Sequence, residues 1–316
     1  MGAAAASVLL GLAFHRWPGE PPEAVRTHHI PSGRPVSGRG ESFSPARGAP
    51  PEAVQLPDGS RFRVQPASIA AFRAPGPGER IVVDFRRGAL EAEVAKGAGV
   101  VRILSEPGEV RVLGTAFLAR AFRVHLPDAV SVLSVEVSEG VVELSAPGRK
   151  LRVPAGHRGI LWKSARDPAP RAIQQEVQPA DWRAVAALGR DWERWGDPPG
   201  APNLMPEPVF LLAASWQGIG DWGDVLDGAG ETPAHRRIAA ALLGLCAEAE
   251  DGAWLLSRFD REPDAGIRKP LLPHLARVLR AQGEGGCLDF LGRVSREDPS
   301  EEIRREAEKL MEGYRE

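Results

Sequence analysis

The sequence has too few cysteines for a disulfide framework. Only two occur in 316 residues, Cys246 and Cys287, whereas domains that depend on disulfides are small and rich in paired cysteines. Each cysteine lies in a run with the apolar spacing of a helix face, where a thiol behaves as a small hydrophobic side chain. We therefore predict two buried free thiols. A single Cys246–Cys287 bridge is the alternative if the chain is exported.

An excess of positive charge is also missing. Lysine and arginine number 40 against 42 aspartates and glutamates, so the net charge is −2. Nucleic-acid binding requires a concentrated basic field, and this balance argues against nucleic acid as a partner. Glycine and proline are abundant, with 35 and 29 residues. That content predicts many turns and linkers between compact elements.

Motifs of catalysis are absent as well. The sequence has no glycine-rich phosphate loop, no nucleophile elbow and no paired-cysteine motif. Its seven histidines never show the four-residue spacing of a helical metal site. His28 and His29 lack a third ligand, and His125 and His157 fit hydrogen-bonded roles better than metal binding even if they approach each other. We predict that the protein is not an enzyme and has no catalytic residues, cofactor, metal site or small-molecule substrate.

The N-terminal apolar run is too short for an ordinary membrane span. Residues 2–14 are apolar and uncharged, but a spanning helix needs about 20 such residues. A signal peptide would begin with basic residues, and none precede this run. We interpret residues 1–17 as a membrane anchor or a signal-like segment. Trp17 after Arg16 favours the anchor, since tryptophan is enriched at membrane interfaces. Residues 18–53 are predicted to be a linker rich in proline and glycine.

From Val54 onwards, short runs of β-forming residues alternate with turn signals. Asp58-Gly59 is a strong hairpin signal, and Arg61 to Val64 alternates as a half-buried strand does. We predict an all-β segment over 54–163, as a sandwich, roll or solenoid. The predicted strands are 61–64, 80–85, 89–94, 100–104, 109–113, 115–124, 130–137, 141–144, 151–153 and 159–162, and one of the predicted turns is Arg87-Gly88. Arg120 and Arg123 are expected on a solvated strand face, with a recognition patch as the alternative.

The rest of the sequence has helical periodicity. Residues 164–230 are predicted to connect the two parts, with helices at 181–195 and 209–216, and residues 231–316 to form a helical domain. Thr232-Pro233 is a cap followed by a first-turn proline. Ile267-Arg268 and Ile303-Arg304 stand at similar places in two helices, about one repeat apart. This pattern resembles HEAT-type repeats, and an ordinary helical bundle is the alternative.

Five segments of the β region carry a common pattern of glycines and apolar residues. The glycines are expected at positive φ in turns or bulges, namely Gly59, Gly88, Gly114, Gly140 and Gly156. Val112, Leu113 and Phe117 are core candidates. None of these glycines and core candidates is of a catalytic type, so the motif specifies a fold. The segments are 56–60 (LPDGS), 88–94 (GALEAEV), 108–117 (GEVRVLGTAF), 135–144 (VEVSEGVVEL) and 151–156 (LRVPAG). Together they resemble the FecR domain of bacterial signalling proteins.

The FecR resemblance implies a regulator similar to an anti-sigma factor. Such regulators have a cytoplasmic sigma-binding segment, one membrane helix and a periplasmic β domain that responds to an outer-membrane transducer. In this sequence we expect no sigma-binding segment before the apolar run, and we expect helices in place of the usual small terminal domain. We therefore expect a non-catalytic sensor or adaptor, tethered to the inner membrane on the periplasmic side. Its expected partner is an outer-membrane transducer or another periplasmic protein.

Two alternatives to this function remain. The first is a structural or carbohydrate-contacting envelope scaffold, which the near absence of tryptophan from the β region disfavours. The second is a full anti-sigma regulator whose true start lies upstream.

Overall fold

The chain folds as a large β module followed by helices, which confirms the predicted fold class. The computed structural model describes residues 26–29, 41–47, 49–73, 79–97, 99–112, 114–125, 129–164, 169–176, 226 and 233–315. The strands in these ranges are β1 Arg26–His29, β2 Glu41–Phe43, β3 Glu52–Gln55, β4 Arg61–Val64, β5 Ile69–Arg73, β6 Glu79–Glu93, β7 Val100–Ser105, β8 Gly108–Val112, β9 Ala116–Val124, β10 Val130–Glu139, β11 Val141–Ala146, β12 Arg149–Pro154, β13 His157–Ser164 and β14 Arg171–Glu176.

These strands form two sheets that share β6. Sheet A has the order β1-β3-β4-β6-β9-β10-β13-β14, and sheet B has the order β2-β5-β6-β7-β8-β11-β12. The β1–β3 and β6–β7 pairs are parallel, and the other described pairs are antiparallel. The inner faces of both sheets contribute to one hydrophobic core that includes Phe62, Phe72, Leu133 and Leu144. Of the predicted architectures, the structure is therefore a sandwich.

The shared strand corrects one prediction. Residues 80–85 and 89–94 were expected to be two strands separated by a turn at Arg87-Gly88, but β6 runs through this point without a break. The register against β5 shifts there, so Arg86 is the extra residue of a bulge. Gly88 has a φ of +94°, and the strand bends from sheet B into sheet A. A bulge and a glycine produce this bend because they re-aim a strand without ending it.

Sheet A is buried on both faces at β9, β10 and β13. Leu133 and Val135 point into the sandwich. On the other face, Val132 and Trp162 pack against the helices. β10 accordingly has six consecutive buried residues, from Val130 to Val135, as expected for a strand covered on both sides. The protein thus has three layers, in which sheet A lies between sheet B and the helices.

The helical layer contains five α-helices in the described residues. They are α1 Pro233–Cys246, α2 Gly252–Arg261, α3 Ala265–Gln282, α4 Glu284–Glu297 and α5 Glu301–Arg315. Pro233 is the first residue of α1, as predicted. Cys246 and Cys287 are buried and unbridged, as predicted from their place on apolar helix faces. The assignment to HEAT-type repeats stays a prediction.

The sheets extend beyond the segment predicted to be β on both sides. The stretch interpreted as a linker contributes β1 and β2, because Phe43 inserts into the core beside Phe72 at a ring distance of 5.3 Å. After residue 163, β14 pairs with β13 at the edge of sheet A. The domain boundaries themselves stay predictions. Those at 1–17, and the helices predicted at 181–195 and 209–216, lie outside the described residues.

One finding bears on the membrane. None of the helices in the described ranges is long and apolar enough to cross a bilayer.

A buried histidine lies where α1 and α3 meet. A Cβ on Gly244 would lie 2.5 Å from Cδ2 of His274, so the missing side chain at Gly244 makes room for the imidazole. Nearby, the Arg277 guanidinium donates to the carbonyls of Gly244 and Ala247, at 3.1 and 2.7 Å. Burial, helped by the charges of Arg277 and His125, lowers the pKa of His274 from 6.5 to about 4. The folded protein therefore keeps this imidazole neutral at pH values where the unfolded chain protonates it.

The bend in β6 predicts an unequal response to two alanine substitutions. A Cβ at Gly88 would overlap Ser68, whereas one at Gly148, which also has positive φ, meets nothing within 4 Å. We expect Gly88→Ala to lower the free energy of unfolding by about 3 kcal/mol or more, because backbone strain and overpacking add. Gly148→Ala should lower it by about 1 kcal/mol through strain alone. Denaturant unfolding of both variants measures the difference, and equal losses would contradict this account of the bend.

His274 predicts a pH dependence of stability. Because its folded-state pKa is depressed, the unfolded chain binds an extra proton between pH 6.5 and about 4. The free energy of unfolding should therefore fall as the pH falls through this window, with a slope that approaches about 1.4 kcal/mol per pH unit. His274→Gln removes this proton and should flatten the slope between pH 6.5 and 4.5. A slope unchanged by the substitution would show that other groups cause the acid sensitivity.

Candidate functional site

Three basic groups of the β module converge on one acidic turn of the helical layer. The basic groups are Arg47 before β3, Arg87 at the bend of β6 and His125 directly after β9. The acidic turn is the 3₁₀ helix Ala249–Asp251 with the preceding Glu248, between α1 and α2. We call this set the junction, namely Arg47, Arg87, His125, Glu248, Glu250 and Asp251. It joins the two parts of the protein through opposite charges.

Asp251 is the centre of the junction. It is 5% exposed, and Nη2 of Arg87 donates to both of its carboxylate oxygens at 2.9 Å. Arg47 donates to Oδ1 at 3.0 Å. The backbone N–H of Glu248 donates to Oδ2 at 3.0 Å. A carboxylate with this many donors is fixed in position, and it fixes the turn relative to the sheet.

The remaining contacts surround this centre. The Arg47 guanidinium also lies 4.0 Å above the ring of Trp254 in α2, a favourable cation–π distance. Nη1 of Arg87 lies 3.4 Å from Oε2 of Glu250. His125 Nε2 lies 3.1 Å from Oε1 of Glu248, and the His125 backbone N–H donates to the carbonyl of Leu245 at 2.8 Å. Side chains and backbone of the sheet thus hold both the end of α1 and the start of α2.

The junction carboxylates are held in their charged form. Burial by itself would raise the pKa of Asp251, but Arg87, the Glu248 N–H and Arg47 outweigh it and keep the pKa below 3.8. Burial likewise opposes ionisation of Glu248, and His125, Arg123 and Arg87 outweigh it to keep the pKa below 4.5. The ion pairs therefore persist at neutral pH. Carboxylates that are charged and paired in this way suit mechanical connection rather than proton transfer.

A second cluster brings together four of the five segments that resemble the FecR domain, all except 151–156. They meet around a cleft of about 310 Å³ at one end of the sandwich, lined by Gly59, Glu93, Val94, Ala95, Lys96, Gly114, Thr115, Ala116 and Glu139. The Ala95 N–H donates to Ser60 Oγ at 3.1 Å, and the Val94 N–H to the Thr115 carbonyl at 2.9 Å. The motif residues thus tie three connections together, in agreement with a motif that specifies a fold.

The five motif glycines behave as the sequence predicts. Each has a positive φ in the structure, with values of +87° at Gly59, +94° at Gly88, +129° at Gly114, +79° at Gly140 and +77° at Gly156. Val112 and Phe117 are buried as expected, and Leu113 lies outside the described residues.

Other predicted positions require correction. Arg120 is only 6% exposed and lies 3.9 Å from Glu136, so it does not lie on a solvated face. Arg123, by contrast, is exposed as expected, and it donates to Glu106 at 2.6 Å. His125 and His157 do not approach each other, since the strand register places them at opposite ends of β10. No group of three potential ligands for a metal ion occurs within the described ranges.

The sequence did not identify the junction. Glu248, Glu250 and Asp251 stand together between two helical runs, and Arg87 precedes a motif glycine. Charged residues in such positions are as often exposed to solvent as paired. Nothing in the sequence pattern shows that residues 87 and 251 are in contact.

The junction predicts a large effect of one neutral substitution. Asp251→Asn removes the buried counter-charge of Arg87 and leaves it only the exposed Glu250, so we expect a loss of about 3 kcal/mol in the free energy of unfolding. Glu301→Gln breaks the ion pair with Arg305, in which both partners are exposed, and should change stability by less than about 0.5 kcal/mol. Asp251→Asn combined with Arg87→Met should lose less than the sum of the single changes. Additive losses would show that the two residues do not interact.

Comparison with known proteins finds similarity in the β module. Two crystal structures of a proposed anti-sigma factor from Parabacteroides distasonis ATCC 8503 are similar to this chain. They share 16% and 17% identity with it, and the matches cover 49% of this chain and 73% and 74% of theirs, each with a TM-score of 0.37. No curated protein sequence matches the chain. Residues 52–143 match the family described as FecR protein. These residues run from β3 into β11, and this part of the β module is therefore similar to the FecR family.

Proposed function

We propose that this protein is a non-catalytic sensor or adaptor of the bacterial cell envelope. In this proposal the β module binds another envelope protein, and the helical layer passes on or stabilises the response. The observation that supports it most directly is a FecR domain joined to helices through the buried Arg87–Asp251 pair. A buried ion pair between the β module and the helical layer is expected in a protein in which these two parts act together.

The packing supports coupling between the two parts. Phe122, Val132 and Trp162 of sheet A share a hydrophobic cluster with residues of α1 and α3. Closely packed interfaces transmit a displacement because they have few alternative arrangements. The junction adds orientation to this apolar contact, since its ion pairs tolerate little rotation. A partner that displaces the sheet would therefore also displace α1 and α2.

The buried charges of the helical layer support a structural role. Arg268 donates to both oxygens of Asp298 at 3.1 and 3.0 Å. Arg236 donates to Glu262 at 2.7 Å. Each pair links an arginine of one helix to the residue that directly follows another helix. Each buried carboxylate is neutralised by an arginine and has no nucleophilic side chain as its partner in these pairs. These contacts favour a scaffold for binding over a catalytic centre.

The proposed location is the periplasmic side of the envelope. The FecR domain and the apolar residues 2–14 support this location. The proposed partner is an outer-membrane transducer or another periplasmic protein. In this proposal neither nucleic acid nor a small-molecule substrate is bound, in keeping with the net charge of −2.

The proposal predicts the outcome of crosslinking in cells. The tagged full chain should be crosslinked in its native host and recovered from membrane and periplasmic fractions, and its partners identified by mass spectrometry. The control is a tagged Glu301→Gln protein recovered in the same way without crosslinker. We expect envelope proteins to be more abundant in the crosslinked sample than in this control. A sigma factor or its transducer among them would place the protein in FecR-type signalling. Recovery of cytoplasmic proteins alone, or of nothing above background, would contradict the proposal.

A further inference from the structure

The edge strand of sheet B, β12, lies beside β13 and β14 of sheet A and has backbone groups that the described ladder leaves unpaired. Among the described strands, β12 pairs only with β11. The two-residue connection Pro147-Gly148 makes Ala146 and Arg149 the closing pair of this hairpin, and a closing pair is hydrogen-bonded. Since hydrogen-bonded and non-hydrogen-bonded pairs alternate, the N–H and C=O groups of Lys150 and Arg152 point outward. Pro154, which has no N–H, ends this edge.

The side chains along this edge are basic. Arg149, Lys150 and Arg152 are all exposed, and the Lys150 side chain is 68% exposed. Lys150 lies 3.5 Å from Glu143, which also lies 4.0 Å from Arg111. Within the described part of the chain, neither Arg149 nor Arg152 has an ion-pair partner. The positive charge of this edge therefore exceeds the acidic charge beside it.

An apolar site adjoins the basic row. Val141 is 43% exposed and is the only large hydrophobic residue that is exposed in the described ranges. It lies opposite Pro154 in the β11–β12 register. Lys150, Arg152 and Pro154 alternate along β12, so their side chains project on the same outer face as Val141. The intervening Val153 is buried and Leu151 is half-buried, facing the interior.

We propose that β12 accepts an additional strand from a partner protein, and that this strand is acidic on its outer face. Side chains beside Lys150 and Arg152 would be aspartate or glutamate, and the one beside Pro154 and Val141 would be apolar. Inward side chains beside Leu151 and Val153 would also be apolar. Strand addition of this kind uses backbone hydrogen bonds for affinity and alternate side chains for specificity. The inference rests on the proposed partner binding and assigns it to one surface.

The charge of the edge argues for a partner rather than a second copy. Antiparallel pairing of two β12 strands would place Lys150 and Arg152 against the same basic residues, and like charges opposite each other are destabilising. Lysines on an edge strand are a known means to prevent self-association. An acidic strand removes this repulsion and pairs the unmatched charge of Arg152.

The test uses the full chain and a fluorescent seven-residue peptide in which glutamate and valine alternate. We expect binding that shifts the backbone amide NMR signals of Lys150 and Arg152. Arg152→Glu should weaken it at least tenfold, whereas Lys309→Glu, the same type of change on α5, should leave it within twofold. A peptide that alternates lysine and valine should bind Arg152→Glu better than the unsubstituted protein. Equal binding of both peptides to the unsubstituted protein, or no effect of Arg152→Glu, would overturn the proposal. Binding of anionic phosphatidylglycerol vesicles without peptide binding would also overturn it.

The crosslinking experiment separates this inference from the proposed function. If the same envelope proteins are recovered with the unsubstituted chain and with Arg152→Glu, the function stands and the assignment to β12 is wrong. If the glutamate peptide binds as expected but no envelope protein is recovered, the surface stands and the proposed function is wrong.

Discussion

The contact between Arg87 and Asp251 fixes the relation between the two parts of this protein. Arg87 lies where β6 passes from one sheet to the other, so its position depends on the bend at Gly88. Asp251 lies between α1 and α2, so its position sets the direction of both helices. A buried ion pair contributes little net stability compared with an apolar contact, but it allows few alternative geometries. In this protein the apolar contact holds the helices against sheet A, and the ion pair determines how they are placed.

The bend itself depends on a small set of neighbours. The side chain of Ser68 fills the space that a side chain at residue 88 would need. Its Oγ donates to the Ala89 carbonyl and accepts from the Ala89 N–H, at 3.1 and 2.9 Å. A backbone that leaves its sheet loses ladder hydrogen bonds, and this hydroxyl replaces them. The Ser68 hydroxyl therefore stabilises the bend at Gly88. The bend in turn directs the Arg87 guanidinium at Asp251.

Most of the fold could be predicted from the sequence, because its periodicity reflects burial on one face. The strands with clear alternation or long apolar runs were found, and so were the motif glycines, whose positive φ only glycine adopts easily. β5 was missed since its sequence, IAAFR, buries Ala70 and Phe72 but has the alanine content of a weak strand former. β1 and β2 were missed because their flanks are rich in glycine and proline. The junction could not be predicted, as pairing between residues about 160 positions apart leaves no local pattern.

The net charge of the sequence does not give the local charge of the folded surface. The balance of 40 basic and 42 acidic residues suggests a surface without a strong preference for charged partners. The structure removes part of that charge from the surface by pairing Arg87 with Asp251 and Arg268 with Asp298 in buried positions. Because each such pair is neutral, the local sign of the surface depends on the residues that stay exposed. At β12 these residues are basic, and a nearly neutral chain therefore presents a positive edge next to Val141, the most exposed large apolar side chain among the described residues. A partner would respond to that local arrangement and not to the net charge.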